Sequence, residues 1–166
     1  MTKVVAELLS VKKSRSAYLK RIRIDQISFD DLLDFAINSS DANAWRAAWL
    51  VGILVKRNDE RITPQISNIL NVLLYKGDGH QREVIKILLR MDLNEMQQSI
   101  FFDYCITIWK SIEKKSSTRI CAFKFLVKMQ KNIPELAGEV RYLNQEIYTE
   151  SLSVGIKKSL EKMQLL

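Results

Sequence analysis

The sequence predicts an all-α protein, a superhelix of about four helical hairpins preceded by a short basic helical segment. Apolar residues recur at helical spacing along most of the 166 residues, and no segment keeps the alternation of a strand. An arginine also returns at near-constant intervals, at Arg46, Arg82 and Arg119. These intervals of 36 and 37 residues are typical of helical-hairpin repeats, so a similar structural unit is expected around each arginine.

The length and composition indicate one folded domain. The chain has 166 residues, of which 47% are apolar, enough to form a sizeable core. We expect a single domain over residues 1–166, with basic capping helices in residues 1–27 and about four hairpins in residues 28–166.

The first well-defined element is a helix predicted over Phe29 to Asn38. Ser28 and Asp31 have the spacing of a capping box, with Asp in place of the usual Glu. The apolar residues that follow share one helical face: Phe29, Leu32, Leu33, Ala36 and Ile37.

A second helix is predicted to start at Thr63, with Thr63 as its cap and Pro64 at its first position, and to end near Tyr75. Chain breakers at Pro64, at Gly77 to Gly79 and at Pro134 mark the expected repeat boundaries.

The second half of the chain contains three further apolar stripes at helical spacing. The longest is Met96, Ile100, Phe101, Tyr104, Cys105, Ile108, Trp109 and Ile112. The next is Leu136, Val140, Leu143 and Ile147, and the last is Leu152, Ile156, Leu160 and Met163. The arginine-bearing helices, expected at about 41–56, 79–91 and 116–131, are apolar on more than one face, which predicts a middle position in the stack.

The stretch Asp41-Ala-Asn-Ala-Trp45-Arg46-Ala47-Ala48-Trp49-Leu50 resembles the second helix of a HEAT repeat, which has an Asp near the turn and an Arg about one turn later. Asp78-Gly-His80-Gln-Arg82 matches the same element, whereas the copy with Arg119 has Ser116 instead of Asp. A fourth copy, from Ser151 to Met163, lacks the arginine. The resemblance implies a right-handed α-α superhelix of the armadillo and HEAT class.

The whole chain is also similar to small HEAT-like proteins of Bacteroidetes. The likeness rests on the Arg46-Ala47-Ala48-Trp49 helix, the His80 repeat start and the basic end Lys157-Lys158-Ser159-Leu160. It implies no particular activity.

The candidate partner-binding residues are those expected on the concave face: Trp45, Arg46, Arg82, Lys86 and Arg119. Guanidinium groups present planar forks of donors that suit carboxylates and phosphates. The alternative, which the HEAT resemblance favours, is structural: the arginines would tie turns together by bonding acids such as Asp41 and Asp78. Packing likewise competes with an aromatic platform for Trp45, Trp49 and Trp109.

The net charge of +7 is uneven, since residues 1–23 carry +6, residues 24–60 carry −4 and residues 61–166 carry +5. The candidate polyanion-binding residues are Lys12, Lys13, Arg21 and Arg23. This segment fits a capping helix of the stack, a nucleic-acid contact or a membrane-surface contact, and charge alone does not choose among them.

No catalytic, cofactor or metal motif stands out. His80 lacks a partner at motif spacing and is interpreted as a turn or capping residue; Cys105 and Cys121 lie in apolar stretches as small buried hydrophobes. Residues 1–10 include Glu7 and lack a signal-like apolar stretch, and the apolar run 44–55 is too short to span a bilayer, so we expect a cytoplasmic protein.

The predicted function is a non-enzymatic protein-interaction or scaffold module that binds another protein through the concave face. The main alternative is a nucleic-acid binder that uses the basic N-terminal segment and the concave arginines. HEAT-like superhelices include DNA alkylation-repair glycosylases. In this chain, only the neighbourhood of Trp45, Arg46 and Trp49 resembles those enzymes. A small lyase is disfavoured because no Gly-Ser-Ser loop is present.

Overall fold

The computed structural model describes residues 1–164, and all their regular secondary structure is helical, which confirms the all-α fold class. The chain divides into two compact units, Met1–Asp92 and the residues from Leu93 onward. The single-domain interpretation of residues 1–166 stays a prediction.

Unit 1 contains two packed helical pairs and an N-terminal cap. Helix α3 packs on α4 and α5 on α6, while α4 also packs on α6, and α1 contacts both helices of the first pair. The helices are α1 Thr2–Ser10, α2 Arg15–Ile24, α3 Phe29–Asn38, α4 Ala44–Leu54, α5 Ile66–Leu73 and α6 Asp78–Leu88.

The capping box at the start of α3 forms as predicted. The backbone N–H of Asp31 donates to Ser28 Oγ at 3.0 Å, and the backbone N–H of Ser28 donates to Asp31 Oδ2 at 2.9 Å. The Ser28 hydroxyl also donates to Asp31 Oδ2 at 2.6 Å, and this bond, together with the backbone one from Ser28, lowers the pKa of the Asp31 carboxyl. These hydrogen bonds fix the first turn, and the helix spans Phe29–Asn38 as the sequence predicts.

Helix α4 occupies a middle position in unit 1 because it is buried on several sides. Its alanines allow close approach of the neighbouring helices, since Ala47 and Ala48 are fully buried and carry only a methyl group. It contacts α1, α3 and α6. The apolar composition of this helix therefore reflects packing within unit 1.

The role predicted for Thr63 is wrong. A 3₁₀ turn, Thr63–Gln65, precedes α5, and the Thr63 hydroxyl donates to the Asp59 carbonyl at 3.3 Å instead of accepting from the helix. The loop before it is organised by the Asp59 carboxylate, which accepts from the backbone N–H groups of Lys56 and Arg61. Pro64 does lie in the first turn.

Unit 2 is built around an α-helical pair with an aromatic core. Its helices are α7 Glu95–Lys110, α8 Ser116–Asn132, α9 Ala137–Tyr142, α10 Glu146–Thr149 and α11 Val154–Gln164. Helix α8 packs against α7, α9 and α11. Ring centroids lie 4.2 Å apart for Phe101 and Phe125 and 4.4 Å apart for Trp109 and Phe123.

The helix predicted after Pro134 is broken into a 3₁₀ turn, Pro134–Leu136, followed by α9 and α10. At the break, Trp109 Nε1 donates to the Leu143 carbonyl at 2.6 Å and so satisfies an acceptor that a helix ending there leaves free. Leu143 is buried as predicted, whereas Ile147 is 65% exposed. The stripe on α7 is also shorter than predicted, because Met96 and Ile112 are exposed.

Candidate functional site

Helices α4 and α6, the second helices of the two pairs in unit 1, run side by side in the same direction. At their C-terminal ends, Arg90 Nη1 donates to the carbonyls of Gly52 at 2.7 Å and Val55 at 3.2 Å. Ahead of α6, Lys76 Nζ donates at 3.3 Å to the carbonyl of Ser39, which lies just before α4. These contacts join the segment before α6 to the segment before α4, and the end of α6 to the end of α4.

The pattern of buried residues indicates the register between α4 and α6. An offset of 37 residues superposes buried positions on buried positions, for example Ala44 on Gln81 and Val51 on Leu88. At this offset Trp45 corresponds to Arg82, and Trp49 corresponds to Lys86. Trp45, Arg82 and Lys86, three of the five predicted partner-binding residues, therefore share one face of unit 1, and the guanidinium of the adjacent Arg46 reaches the Trp45 ring. We call Trp45, Arg46, Trp49, Arg82 and Lys86 the tryptophan–arginine surface.

Trp45 and Arg46 form the α4 end of this surface. The Trp45 side chain is 36% exposed, and the Arg46 guanidinium lies 5.3 Å from its ring centroid. Arg46 Nη1 also donates at 2.6 Å to each of two oxygens, the Leu9 carbonyl and Asn43 Oδ1. Arg46 therefore links α4 to the last turn of α1 while it holds the tryptophan ring by a cation–π contact.

Trp49 is half-buried on the same face of α4. Its ring meets the ring of Tyr18 edge to face, with centroids 6.0 Å apart. Tyr18 is buried on α2, and its hydroxyl donates to the Val11 carbonyl at 2.9 Å. Trp49 therefore attaches the basic helix α2 to α4, and part of its surface remains exposed.

Arg82 and Lys86 are both held by the buried carboxylate of Glu83, which is 3% exposed. Arg82 Nε and Nη2 each lie 2.8 Å from Glu83 Oε1, and Lys86 Nζ lies 3.2 Å from both carboxylate oxygens. One acid therefore positions two half-exposed cations, and the three side chains together carry a net charge of +1.

Arg119 has a different environment, because it is fully buried in unit 2. Its Nε donates to the Trp109 carbonyl at 2.9 Å, Nη1 donates to Ser151 Oγ at 2.9 Å, and Nη2 donates to the Tyr148 carbonyl. Burial lowers the pKa of the guanidinium from its ordinary value. This geometry favours the structural interpretation of Arg119 over the partner-binding one.

The three arginines do not occupy equivalent positions, so the register predicted from their spacing is wrong. Burial aligns α6 with α8 at an offset of 38 residues, which places Gln81 on Arg119. At the offset of 37 between α4 and α6, Arg46 corresponds to the buried Glu83 and not to Arg82. A shift of one residue along an α-helix rotates the side chain by about 100° around the helix axis. Arginines at nearly constant intervals in the sequence therefore need not lie on the same face of successive helices.

The N-terminal bases lie in and before α2. Lys12, Arg21 and Arg23 are exposed, whereas Lys13 is half-buried. Arg21 Nη2 forms an ion pair with Asp25 Oδ2 at 2.9 Å, one helical turn away. Because α2 packs through Tyr18, this segment combines an attached apolar side with an exposed basic side.

His80 lies in the first turn of α6 and is buried. Burial lowers the pKa of its imidazole to about 4, with a further contribution from the charge of Lys76, while a hydrogen bond with the backbone of Ala36 opposes the shift. The ring is therefore neutral near pH 7, and its Nε2 has no hydrogen-bond partner within the described residues.

Cys105 and Cys121 are both buried, and burial raises the pKa of the Cys105 thiol well above its ordinary value. Within residues 1–164, no group of three or more His, Cys, Asp or Glu side chains is placed to bind a metal ion. In the same part of the chain, none of the helices has both the length and the apolar character needed to cross a membrane.

Sequence reasoning missed three residues that organise these sites: Gln81, Glu83 and Arg90. The sequence does single out two of them. Gln81 occupies a position that is apolar in α4, where Ala44 lies, and Glu83 is a charged residue directly before an apolar run. Only the packing of α6 shows that Glu83 faces inward with Arg82 and Lys86 around it.

Comparisons with known proteins address the repeat architecture. The family model described as HEAT repeat domain matches residues 7–164 of the chain. No curated protein matches significantly, and neither does any solved structure.

Proposed function

Because the chain belongs to the HEAT repeat domain family, whose repeats generally serve as protein-interaction scaffolds, we propose that it is a non-enzymatic scaffold that binds another protein through the tryptophan–arginine surface. The observation that carries this proposal is the exposed Trp45 ring, fixed by Arg46 and level with Arg82 on the neighbouring helix. Tryptophan and arginine are the residue types most enriched at the energetic centres of protein interfaces.

The side chains of the tryptophan–arginine surface are also held in place without a bound partner. Glu83 holds Arg82 and Lys86, and hydrogen bonds to Leu9 and Asn43 hold Arg46. Side chains that are already fixed lose less conformational freedom on binding, which leaves more of the contact energy for affinity. Pre-ordering of this kind supports a binding role over a merely solvated helix face.

The charge of the surface favours an acidic partner. Arg82 and Lys86 together carry one more positive charge than the buried carboxylate of Glu83 neutralises, and Arg46 adds a further cation beside Trp45. A partner that brings one or two carboxylates and an apolar side chain for Trp45 would match this arrangement. We place the scaffold in the cytoplasm, where reducing conditions suit the buried thiol of Cys105.

Two finer interpretations from the sequence stay predictions. One is the similarity to small HEAT-like proteins of Bacteroidetes. The other is nucleic-acid binding through Lys12, Lys13, Arg21 and Arg23 together with the arginines of the second helices, which is the alternative function.

The full chain is immobilised, and bound proteins are recovered from a lysate of the native cells with and without nuclease treatment. Trp45→Ala is compared with Tyr75→Ala, which removes an aromatic ring that is 88% exposed elsewhere in unit 1. We expect the wild type and Tyr75→Ala to retain the same proteins in both lysates and Trp45→Ala to lose them, with melting temperatures within about 4 °C of the wild type.

Equal retention by Trp45→Ala and Tyr75→Ala would contradict the assignment of this surface. Retention that disappears after nuclease treatment would contradict protein binding and support the nucleic-acid alternative.

A further inference from the structure

A groove on unit 2, distinct from the tryptophan–arginine surface, lies along α8 and is closed by α9 and α11. It consists of two adjoining pockets of about 380 and 320 Å³ that share Val127, Lys131 and Met163. Pockets that enclose a ligand generally have volumes of about 300 to 1,000 Å³. We call it the α8–α11 groove.

The floor of the groove is apolar. Phe123 and Val140 are buried beneath it, and Val127 and Met163 are half-buried and line it. An apolar side chain that enters the groove would therefore leave water for an apolar surface, which is favourable in proportion to the area covered.

The rim of the groove is basic. Lys124, Lys128 and Lys131 follow one another at helical spacing on α8, and Arg141 stands opposite on α9. All four side chains are exposed, none has an ion-pair partner within residues 1–164, and no acid is among the residues that line either pocket.

This rim differs from Arg82 and Lys86, whose charges are partly neutralised by Glu83. The uncompensated positive charge attracts anionic groups, and the planar guanidinium of Arg141 presents two parallel donors that match a carboxylate. The groove therefore matches a ligand with two features: an apolar side chain that packs on the floor and nearby carboxylates that pair with the basic rim.

We propose that the α8–α11 groove binds an acidic, amphipathic segment of another protein, with a large apolar side chain on Val127 and Met163 and carboxylates at Lys131 and Arg141. A nucleic-acid backbone would satisfy the lysines but leave the apolar floor uncovered. A flat lipid surface cannot fill a concave groove. The proposal involves residues of unit 2 only and does not depend on the tryptophan–arginine surface.

The test uses fluorescence anisotropy with the full chain and a labelled peptide of about four helical turns, with glutamate and leucine on opposite faces. Matched probes carry serine in place of leucine, or lysine in place of glutamate, and a labelled single-stranded DNA completes the set. We expect the glutamate–leucine peptide to bind at least about tenfold more tightly than each of the other probes.

Two substitutions separate charge from apolar contact. Lys131→Glu should weaken binding of the glutamate–leucine peptide by about tenfold or more, because a carboxylate then faces carboxylates. Val127→Ser should weaken it by about threefold to tenfold through the lost apolar contact. The control is Lys110→Glu, since Lys110 also lies in the last turn of a long helix but does not line the groove.

Equal affinities for Lys131→Glu and Lys110→Glu would overturn the proposal. So would equal or tighter binding of the serine peptide or of DNA, which would show that charge alone drives the contact. Failure of the glutamate–leucine peptide to bind the wild type would overturn it as well. Melting curves of the three variants verify that each remains folded.

Discussion

Gln81 of α6 and Arg119 of α8 play the same structural role, each within its own unit. Gln81 Nε2 donates to the Leu73 carbonyl at 3.1 Å, and Arg119 Nε donates to the Trp109 carbonyl at 2.9 Å. Both side chains are buried, and both accepting carbonyls belong to the last turn of the first helix of the pair. What recurs along the chain is a buried donor that satisfies a helix C-terminus, whichever residue supplies it.

Arg119→Ala should lower the free energy of unfolding by about 3 to 5 kcal/mol, because it leaves a cavity, an unpaired buried carbonyl at Trp109 and two part-buried oxygens without their donor. Arg119→Gln should cost less, about 1 to 3 kcal/mol, since Gln81 shows that an amide can reach the equivalent carbonyl. Urea denaturation of the full chain, with the unfolding of unit 2 followed by the fluorescence of Trp109, measures both values.

The control for these variants is Arg141→Ala in the same unit, because Arg141 is exposed and its removal should change stability by no more than about 0.5 kcal/mol. Similar losses for Arg119→Ala and Arg141→Ala would show that Arg119 does not stabilise the fold.

The three tryptophans should rank by burial when each is replaced by alanine. Trp109→Ala should cost about 4 to 5 kcal/mol, because the ring is fully buried and its Nε1 bonds Leu143. Trp49→Ala should cost about 2 kcal/mol, less than the about 3 to 5 expected for a fully buried ring, and Trp45→Ala about 1 kcal/mol or less. Urea denaturation gives the order. A larger loss for Trp45 than for Trp49 would contradict the placement of both rings.

Acid should destabilise unit 1 through His80. The folded pKa of about 4 lies below the ordinary value of 6.5, so the unfolded chain binds more protons between these values. Stability is therefore fully present above about pH 6.5 and falls by about 2 to 3 kcal/mol as the pH drops to about 4. The measurement is the free energy of unfolding at a series of pH values.

His80→Gln is the control, since it should remove most of the slope in this pH window. Asp59 does not account for that slope. Its pKa is held well below the ordinary 3.8 by hydrogen bonds with Arg61, so its contribution is lost chiefly below about pH 4. An unchanged slope in His80→Gln would contradict the assignment to His80.

Labelled DNA and RNA should bind weakly. Near physiological salt we expect dissociation constants no tighter than the non-specific range of about 10⁻⁴ to 10⁻⁶ M. Replacing Lys12, Lys13, Arg21 and Arg23 by glutamine should then change little, partly because Arg21 is already paired with Asp25. Sub-micromolar binding that weakens steeply with salt and is lost in this variant would favour the nucleic-acid alternative.

Local signals in the sequence predicted the helical elements well. The capping box at Ser28 and the apolar spacing after it determine α3 to the residue, because both are properties of a few adjacent side chains. The family model, which matches residues 7–164, supports the HEAT-like interpretation that the Arg46 and Arg82 segments suggested.

The register of the repeats and the continuity of the late helices could not be predicted in the same way. Whether Arg82 or Gln81 corresponds to Arg119 depends on a rotation of about 100° per residue, which small changes in turn length between helices alter. At the break after α9, the Leu143 carbonyl accepts from Trp109, which is 34 residues away in the sequence. The α8–α11 groove likewise arises from packing among α8, α9 and α11 and has no local motif.

The most direct test of the scaffold proposal is site-specific photo-crosslinking in the native cells, with a photoreactive phenylalanine derivative placed at Trp45 or, as control, at Tyr75. Both positions are exposed aromatic residues of unit 1, but only Trp45 belongs to the tryptophan–arginine surface. We expect a discrete protein adduct from position 45 that is absent from position 75. No adduct at position 45, the same adducts at both positions, or a nucleic-acid adduct at position 45 would contradict the proposal.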